Sequence, residues 1–189
     1  VGSVIFANPP EPSASAEWPR PGRGRRSARV EHQLRRSAIR RQRPGRRRAV
    51  RVLAAAAGGL LVDAGFAPST AWWAPILGFA LLGLAVHGRG WKASSGLGLV
   101  FGALLFFPLL SWTNIYVGNL PWIALAAAEA VLMMPAAALM GPVSRRLPAW
   151  PVWAAAAWVA GETLRAAFPF GGFPWGGVAF TQPDGPLLP

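Results

Sequence analysis

The chain has 189 residues, 53% of them hydrophobic, with ten Trp, a positive mean hydropathy and a formal net charge of +12. That apolar content is high for a water-soluble domain and ordinary for a membrane protein. The absence of cysteine excludes disulfides, thiolate metal ligands and a thiol nucleophile within these residues, and His32 and His87 belong to no cluster of metal ligands.

The basicity belongs to the N-terminal stretch. Residues 1 to 51 hold fourteen of the nineteen Lys and Arg and three of the seven acids, so the remainder is close to neutral. Residues 1 to 48 are rich in Pro, Ser, Gly and Arg with few large apolar side chains. Such a segment buries too little surface to offset its ordering entropy and is expected to be a disordered tail. Val30, Leu34 and Ala38 repeat at helical spacing, which allows a short helix around Val30 to Arg41. The run Arg46-Arg47-Arg48 then abuts an apolar segment. Neither a cleavage-site pattern nor a soluble domain follows, so this is not a secretory signal. Nucleic-acid binding is the weaker account of the tail; positive-inside anchoring against anionic lipid is the stronger.

Five apolar segments follow over residues 49 to 167: Val50–Phe66, Ala71–Val86, Ala93–Leu110, Trp122–Met140 and Trp150–Ala167. As helices they extend roughly 24–29 Å, near the ~30 Å of a hydrocarbon core. They show no alternating ten-residue pattern, so the expected fold class is an all-α membrane protein with five transmembrane helices. Pro75 falls in the first turn of the second segment, where a helix tolerates it; Pro108 and Pro135 are expected to kink or end the third and fourth. The loops His87–Lys92 and Ser144–Arg146 are basic, whereas Ala67–Thr70 and Ser111–Pro121 contain no Lys or Arg. By the positive-inside rule the N-terminus is cytoplasmic, and the fifth span delivers residues 168 to 189 to the outer face of a multi-pass cell-membrane protein. Trp72, Trp73, Trp112, Tyr116, Trp122, Trp150 and Trp153 fall near span ends, as interfacial aromatics do. Gly58, Gly59, Gly96, Gly98 and Gly102 suit close helix approach.

Few residues in these segments can carry chemistry. Glu162 and Arg165 are three apart and share a helix face with Trp158, which makes them candidates for an ion pair that orients a lipid headgroup or braces the outer loop. The bland alternative is a structural pair with Arg165 reaching to headgroups. Glu129 lies mid-span, where an isolated carboxylate is costly; a contact with another span is a better account than a proton or ion relay. Asp63 needs no more than interfacial exposure. The loop Gly171-Gly-Phe173-Pro174-Trp175-Gly-Gly177 combines mobile backbone with large aromatics that suit a bilayer boundary or a lipid-facing cleft. Glu162, Arg165, Phe173, Pro174 and Trp175 are therefore the candidate substrate or lipid cleft. No phosphate-binding loop, zinc motif, Ser/His/Asp set or carboxylate dyad is present, and no cofactor is indicated.

Three motifs occur in order: Trp158-x-x-x-Glu162-x-Leu164-Arg165, then Gly172-Phe173-Pro174-Trp175-Gly176, then Thr181-Gln182-x-Asp184-Gly185-Pro186-Leu187. Together they resemble the bacterial apolipoprotein N-acyltransferase family. Ala64-Gly-Phe66-Ala-Pro68 and the stretch from Gly96 to Trp112 are further, weaker similarities. The resemblance covers Val50 to Pro189 and leaves out the Arg-rich tail. It implies transfer of an acyl chain from a phospholipid to the α-amino group of a lipoprotein's N-terminal diacylglyceryl-cysteine, the last step of lipoprotein maturation. It also implies catalysis by a nitrilase-like α/β domain with a Cys nucleophile, a Glu base and an oxyanion-stabilising Lys, working through a thioester in a ping-pong cycle. That domain is expected to lie beyond this fragment, so no catalytic residue is assigned within it. Two other accounts stand beside this one. Some relatives of the family are fused or partnered to a polyprenol-phosphate mannose synthase, which would make the chain a non-catalytic scaffold. A small proton- or ion-coupled transporter using Glu129 and Asp63 is the third, weakened by the lack of an internal repeat.

Overall fold

The computed structural model describes residues 45–168 and 171–182, and every regular element among them is helical. Helix α1 runs over residues 45–63. It is followed by α2 (Ala74–Val86), α3 (Trp91–Leu109), α4 (Thr113–Val117), α5 (Asn119–Leu132), α6 (Met134–Arg146), α7 (Trp150–Ala167) and a single 3-10 turn, Val178–Thr181. The anticipated helix around Val30 to Arg41, most of the tail and the Asp184–Leu187 motif lie outside the described residues. From residue 45 the expected tail is instead helical, because Arg46 to Arg48 are good helix formers that extend α1 N-terminally from Val50.

The fifth apolar segment forms a helix with the expected bounds, and the third is extended at its start by two residues. The fourth is divided. Met133 separates α5 from α6 while keeping a helical backbone, with φ −85° and ψ −10°. Pro135 is the cause: it has no N–H for the carbonyl of Val131, and its ring crowds that turn. Hydrogen bonds of helical register persist around the break, from Met133 N to Glu129 O and from Ala137 N to Met133 O, both 3.3 Å. Helix α4 occupies a loop that was read as irregular and stops at Gly118, whose φ of +83° suits glycine. By length and composition, two stretches can cross a membrane: Trp91–Leu109 and the bent Asn119–Arg146. Helix α2 is apolar but has only 13 residues.

Helix α3 packs against α2, α5 and α6, and α6 packs against α7. Small residues set these approaches. A Cβ on Gly58 would lie 2.7 Å from the Gly78 carbonyl oxygen, and one on Gly98 would overlap the Ala137 side chain. Gly96, grouped with them by sequence, instead faces open space. Phe101, Phe106, Leu82, Leu105 and Met133 are fully enclosed in the core. Trp158 joins them through edge contacts to Phe79 and Phe101, with ring centroids 4.8 and 5.4 Å apart.

The two ends of the bundle differ in charge. At one end, Arg51 Nη1 donates to the carbonyls of Ala85 (2.7 Å) and His87 (2.9 Å), Gly88 N–H donates to Ser144 Oγ (2.9 Å), and His87 stacks near Trp150. Every described Lys and Arg except Arg165 lies toward this end. The described acids, Asp63, Glu129 and Glu162, lie in the other half with the loop after α7.

Candidate functional site

The site is built where α5, α7 and the loop 171–182 meet. Its centre is Arg165, on the last turn of α7 and only 2% exposed. Its Nη1 donates to Glu129 Oε2 at 2.7 Å, to the Trp175 carbonyl at 2.8 Å and to the Phe173 carbonyl at 3.1 Å. The guanidinium carbon lies 5.2 Å from the centre of the Phe106 ring. The backbone of the same residue takes part as well, because Phe173 N–H donates to the Arg165 carbonyl at 3.1 Å. One residue thus binds the loop through both main chain and side chain.

This corrects the expected pairing. Arg165 pairs with Glu129 of α5, thirty-six positions earlier, and not with Glu162. Burial explains the choice. A guanidinium withdrawn from water needs a carboxylate equally withdrawn, and Glu129 is 2% exposed. Glu162 is less enclosed and finds neutral donors instead: its Oε1 accepts from Trp158 Nε1 at 3.1 Å and from Val178 N–H at 3.0 Å. The contact anticipated between Glu129 and another span is thereby found, and its partner identified.

Further bonds tie the loop to the bundle. Gln182 Nε2 donates to the Trp72 carbonyl (3.0 Å) and to Thr181 Oγ1 (3.1 Å), while Thr181 Oγ1 donates to the Val178 carbonyl (2.7 Å). The glycines permit this path. Gly172 has φ +79° and passes so near Ala166 that a Cβ would run into its carbonyl; Gly176 has φ +78° and lies against Leu109. Phe173 packs half-buried on the core, whereas Pro174 and Trp175 are exposed. The Trp175 ring lies 5.8 Å from that of Trp112. Phe106, Trp112 and Trp72 are site components that sequence reasoning did not assign to it. The Thr181-Gln182 pair was noticed only as motif, and its polar side chains beside an apolar helix end were the available signal.

Two cavities flank this clamp. A groove of about 600 Å³ runs along α2 and α7 between Phe79, Leu84, Trp150, Trp158 and Val159, and its one charged lining residue is Glu162. A second cavity, of about 520 Å³, lies between Phe66, Leu109, Trp112, Trp175 and Phe180. The five candidate residues therefore divide. Glu162 borders the first cavity and Trp175 the second, while Arg165 and Phe173 hold the loop between them and Pro174 sits at its surface. Among the described residues no three His, Asp or Glu come together. The geometry is that of an electrostatic clamp between apolar cavities.

Residues 58–189 match the Apolipoprotein N-acyltransferase N-terminal domain. The chain is also 38% identical over 146 residues to the apolipoprotein N-acyltransferase of Mycolicibacterium smegmatis. That match takes in 76% of this chain and 24% of the relative, so the chain spans about a quarter of the length of the curated protein it matches. By a domain match over most of its length, joined to the clamp built from Trp158, Glu162 and Arg165, the chain belongs to the apolipoprotein N-acyltransferase family, of which it carries the N-terminal domain.

Proposed function

We propose that this chain is the membrane portion of an enzyme that moves an acyl chain from a phospholipid to the N-terminal diacylglyceryl-cysteine of lipoproteins. In this reading five helical spans, α1, α2, α3, the bent α5–α6 pair and α7, cross the cell membrane with the N-terminus cytoplasmic. The basic loops all fall at the end opposite the clamp, which supports that orientation. Large apolar side chains on helix surfaces, among them Leu60, Ile76, Leu84, Val131 and Val159, are exposed as lipid-facing positions would be. The nitrilase-like catalytic part and its Cys nucleophile belong to the family's length outside these residues.

The observation that carries the proposal is the groove of about 600 Å³, apolar along its length and bordered by Glu162 beside the clamped loop. It suits an acyl chain held along α7 with its polar end directed to the outer face. A relay through Glu129 is disfavoured, because that carboxylate is committed to Arg165 at 2.7 Å.

The test is to fill the groove. Ala155→Trp, a position that lines it on the exposed side of α7, is expressed in the whole enzyme in cells depleted of the native one. The expected outcome is protein at normal level with lipoprotein N-termini mostly left diacylated by mass spectrometry. Full N-acylation in that variant refutes the groove. Co-purification with a polyprenol-phosphate mannose synthase, with no N-acylation by the unmodified protein, would put the scaffold reading in its place.

A further inference from the structure

At the end of the bundle opposite the clamp, a pocket of about 470 Å³ opens between the start of α1 and the start of α3. Arg48, Arg51, Arg89 and Lys92 line it together with Val52, Leu97 and Val100. Its charges have no compensation within the described protein. None of the four makes an ion pair among the described residues, and all three described acids lie in the other half of the bundle. Arg51 is fixed in place by the carbonyls of Ala85 and His87. The Nε of Arg89 is buried and has no hydrogen-bond partner among the described residues. Four cations gathered in one concavity, one of them with an unmet buried donor, call for an anion from outside.

The pocket's shape narrows the class of anion. Along α3 the lining residues are Lys92, Ala93, Gly96, Leu97 and Val100, which keep to one helix face. From Lys92 to Val100 that face runs about 12 Å at 1.5 Å per residue, from charge into wholly apolar surroundings. Gly96 leaves room there, since a Cβ at that position would meet nothing within 4 Å. A free phosphate would use only the charged mouth. A phosphodiester carrying acyl chains would use both parts. Trp91, which is exposed and has Lys92 Nζ 5.3 Å from its ring centre, marks this end as an interfacial one.

We propose that this pocket is a specific site for an anionic phospholipid of the inner leaflet, its phosphate held by Arg48, Arg51, Arg89 and Lys92 and the start of a chain lying on Leu97 and Val100. The site is separate from the groove along α7 and from acyl transfer, and it rests only on the membrane reading of the bundle. Bound there, the lipid joins α1 to α3 where the two helices otherwise face each other with like charges.

The experiment is native mass spectrometry of the detergent-solubilised full chain, titrated with phosphatidylglycerol, with phosphatidylcholine of the same chains, and with inorganic phosphate. Phosphatidylglycerol is expected to bind well ahead of phosphatidylcholine. Each surface cation contributes about fivefold to such binding, so Arg89→Gln with Lys92→Gln is expected to weaken phosphatidylglycerol by about thirtyfold. Arg145→Gln with Arg146→Gln, at the same end but outside the pocket, is expected to change it less than twofold. Gly96→Leu fills the apolar part at constant charge and is expected to weaken the lipid while sparing phosphate. Equal binding of the two lipids overturns the proposal, as does equal loss in the two double variants, which would mean a diffuse field. Phosphate that displaces phosphatidylglycerol, with no effect of Gly96→Leu, assigns the pocket to a free anion and overturns it too. A chain that fails to float with lipid vesicles at all would overturn the membrane reading itself, whereas one that floats but binds both lipids alike overturns only the pocket.

Discussion

Replacing Arg165 with Met removes the charge that faces Glu129 and keeps most of the apolar stem beside Phe106. Both side chains are almost fully enclosed, at 2% and 3% exposure, and loss of one partner from such a pair costs roughly 3–5 kcal/mol. The Phe173 and Trp175 carbonyls lose a charged donor as well. In a chain of this size 1 kcal/mol moves Tm by roughly 2–4 °C. Arg165→Met is therefore expected to lower the melting temperature by roughly 6–20 °C, followed in one detergent by the loss of monodisperse protein on heating. Glu129→Leu combined with Arg165→Met is expected to recover part of that loss, because an apolar pair leaves no buried charge behind. Glu162→Gln supplies the contrast. It keeps an oxygen where Glu162 Oε1 meets Trp158 and Val178, so its cost is expected to stay below about 1 kcal/mol. Equal shifts for Glu162→Gln and Arg165→Met, with strong coupling between them, would refute the assignment and return the pairing to the two neighbours on α7.

Arg165→Lys is expected to regain more than half of the stability lost in Arg165→Met, because all three acceptors converge on one nitrogen, a geometry that a compact ammonium can meet; melting curves in the same detergent decide it. Gly172→Ala places a side chain at φ +79° against the Ala166 carbonyl, and limited proteolysis is expected to cut the loop after α7 sooner than in the unmodified chain. Trp175→Ala removes an exposed ring that borders the second cavity. It is expected to leave Tm within about 2 °C, as surface substitutions do, while lowering lipoprotein N-acylation by the whole enzyme across donor concentrations.

Much of the helical layout could be read from apolar runs and prolines. The bounds of α7 and the disturbance at Pro135 needed only periodicity and the missing N–H of proline. The site was legible in its parts and not in its wiring. Spacing of three residues reports which side chains are neighbours along one helix, and it says nothing of a partner on another. The signal for Arg165 was instead the cost of Glu129, a mid-span carboxylate that required a contact with another span. Two costly residues of opposite sign, thirty-six apart, solve each other's problem only after α5 and α7 meet, which is a tertiary fact. Helix α4 escaped notice for the opposite reason, because a five-residue helix is too short to show a period.

The groove and the clamp are mechanically joined through Trp158. Its indole lines the groove and packs edge-on against Phe79 and Phe101. Its Nε1 donates to Glu162, and the same carboxylate oxygen receives the Val178 N–H of the loop. A chain that enters the groove and shifts the indole must therefore lengthen or turn the bond to Glu162, which changes how the 3-10 turn at Val178 is held. Arg165 acts in the other direction. With two loop carbonyls and Glu129 bound to one buried nitrogen, it fixes Phe173 and Trp175 whatever the groove contains. The loop after α7 thus has a rigid half set by a buried ion pair and a half that answers to the groove, separated by the glycine at 176.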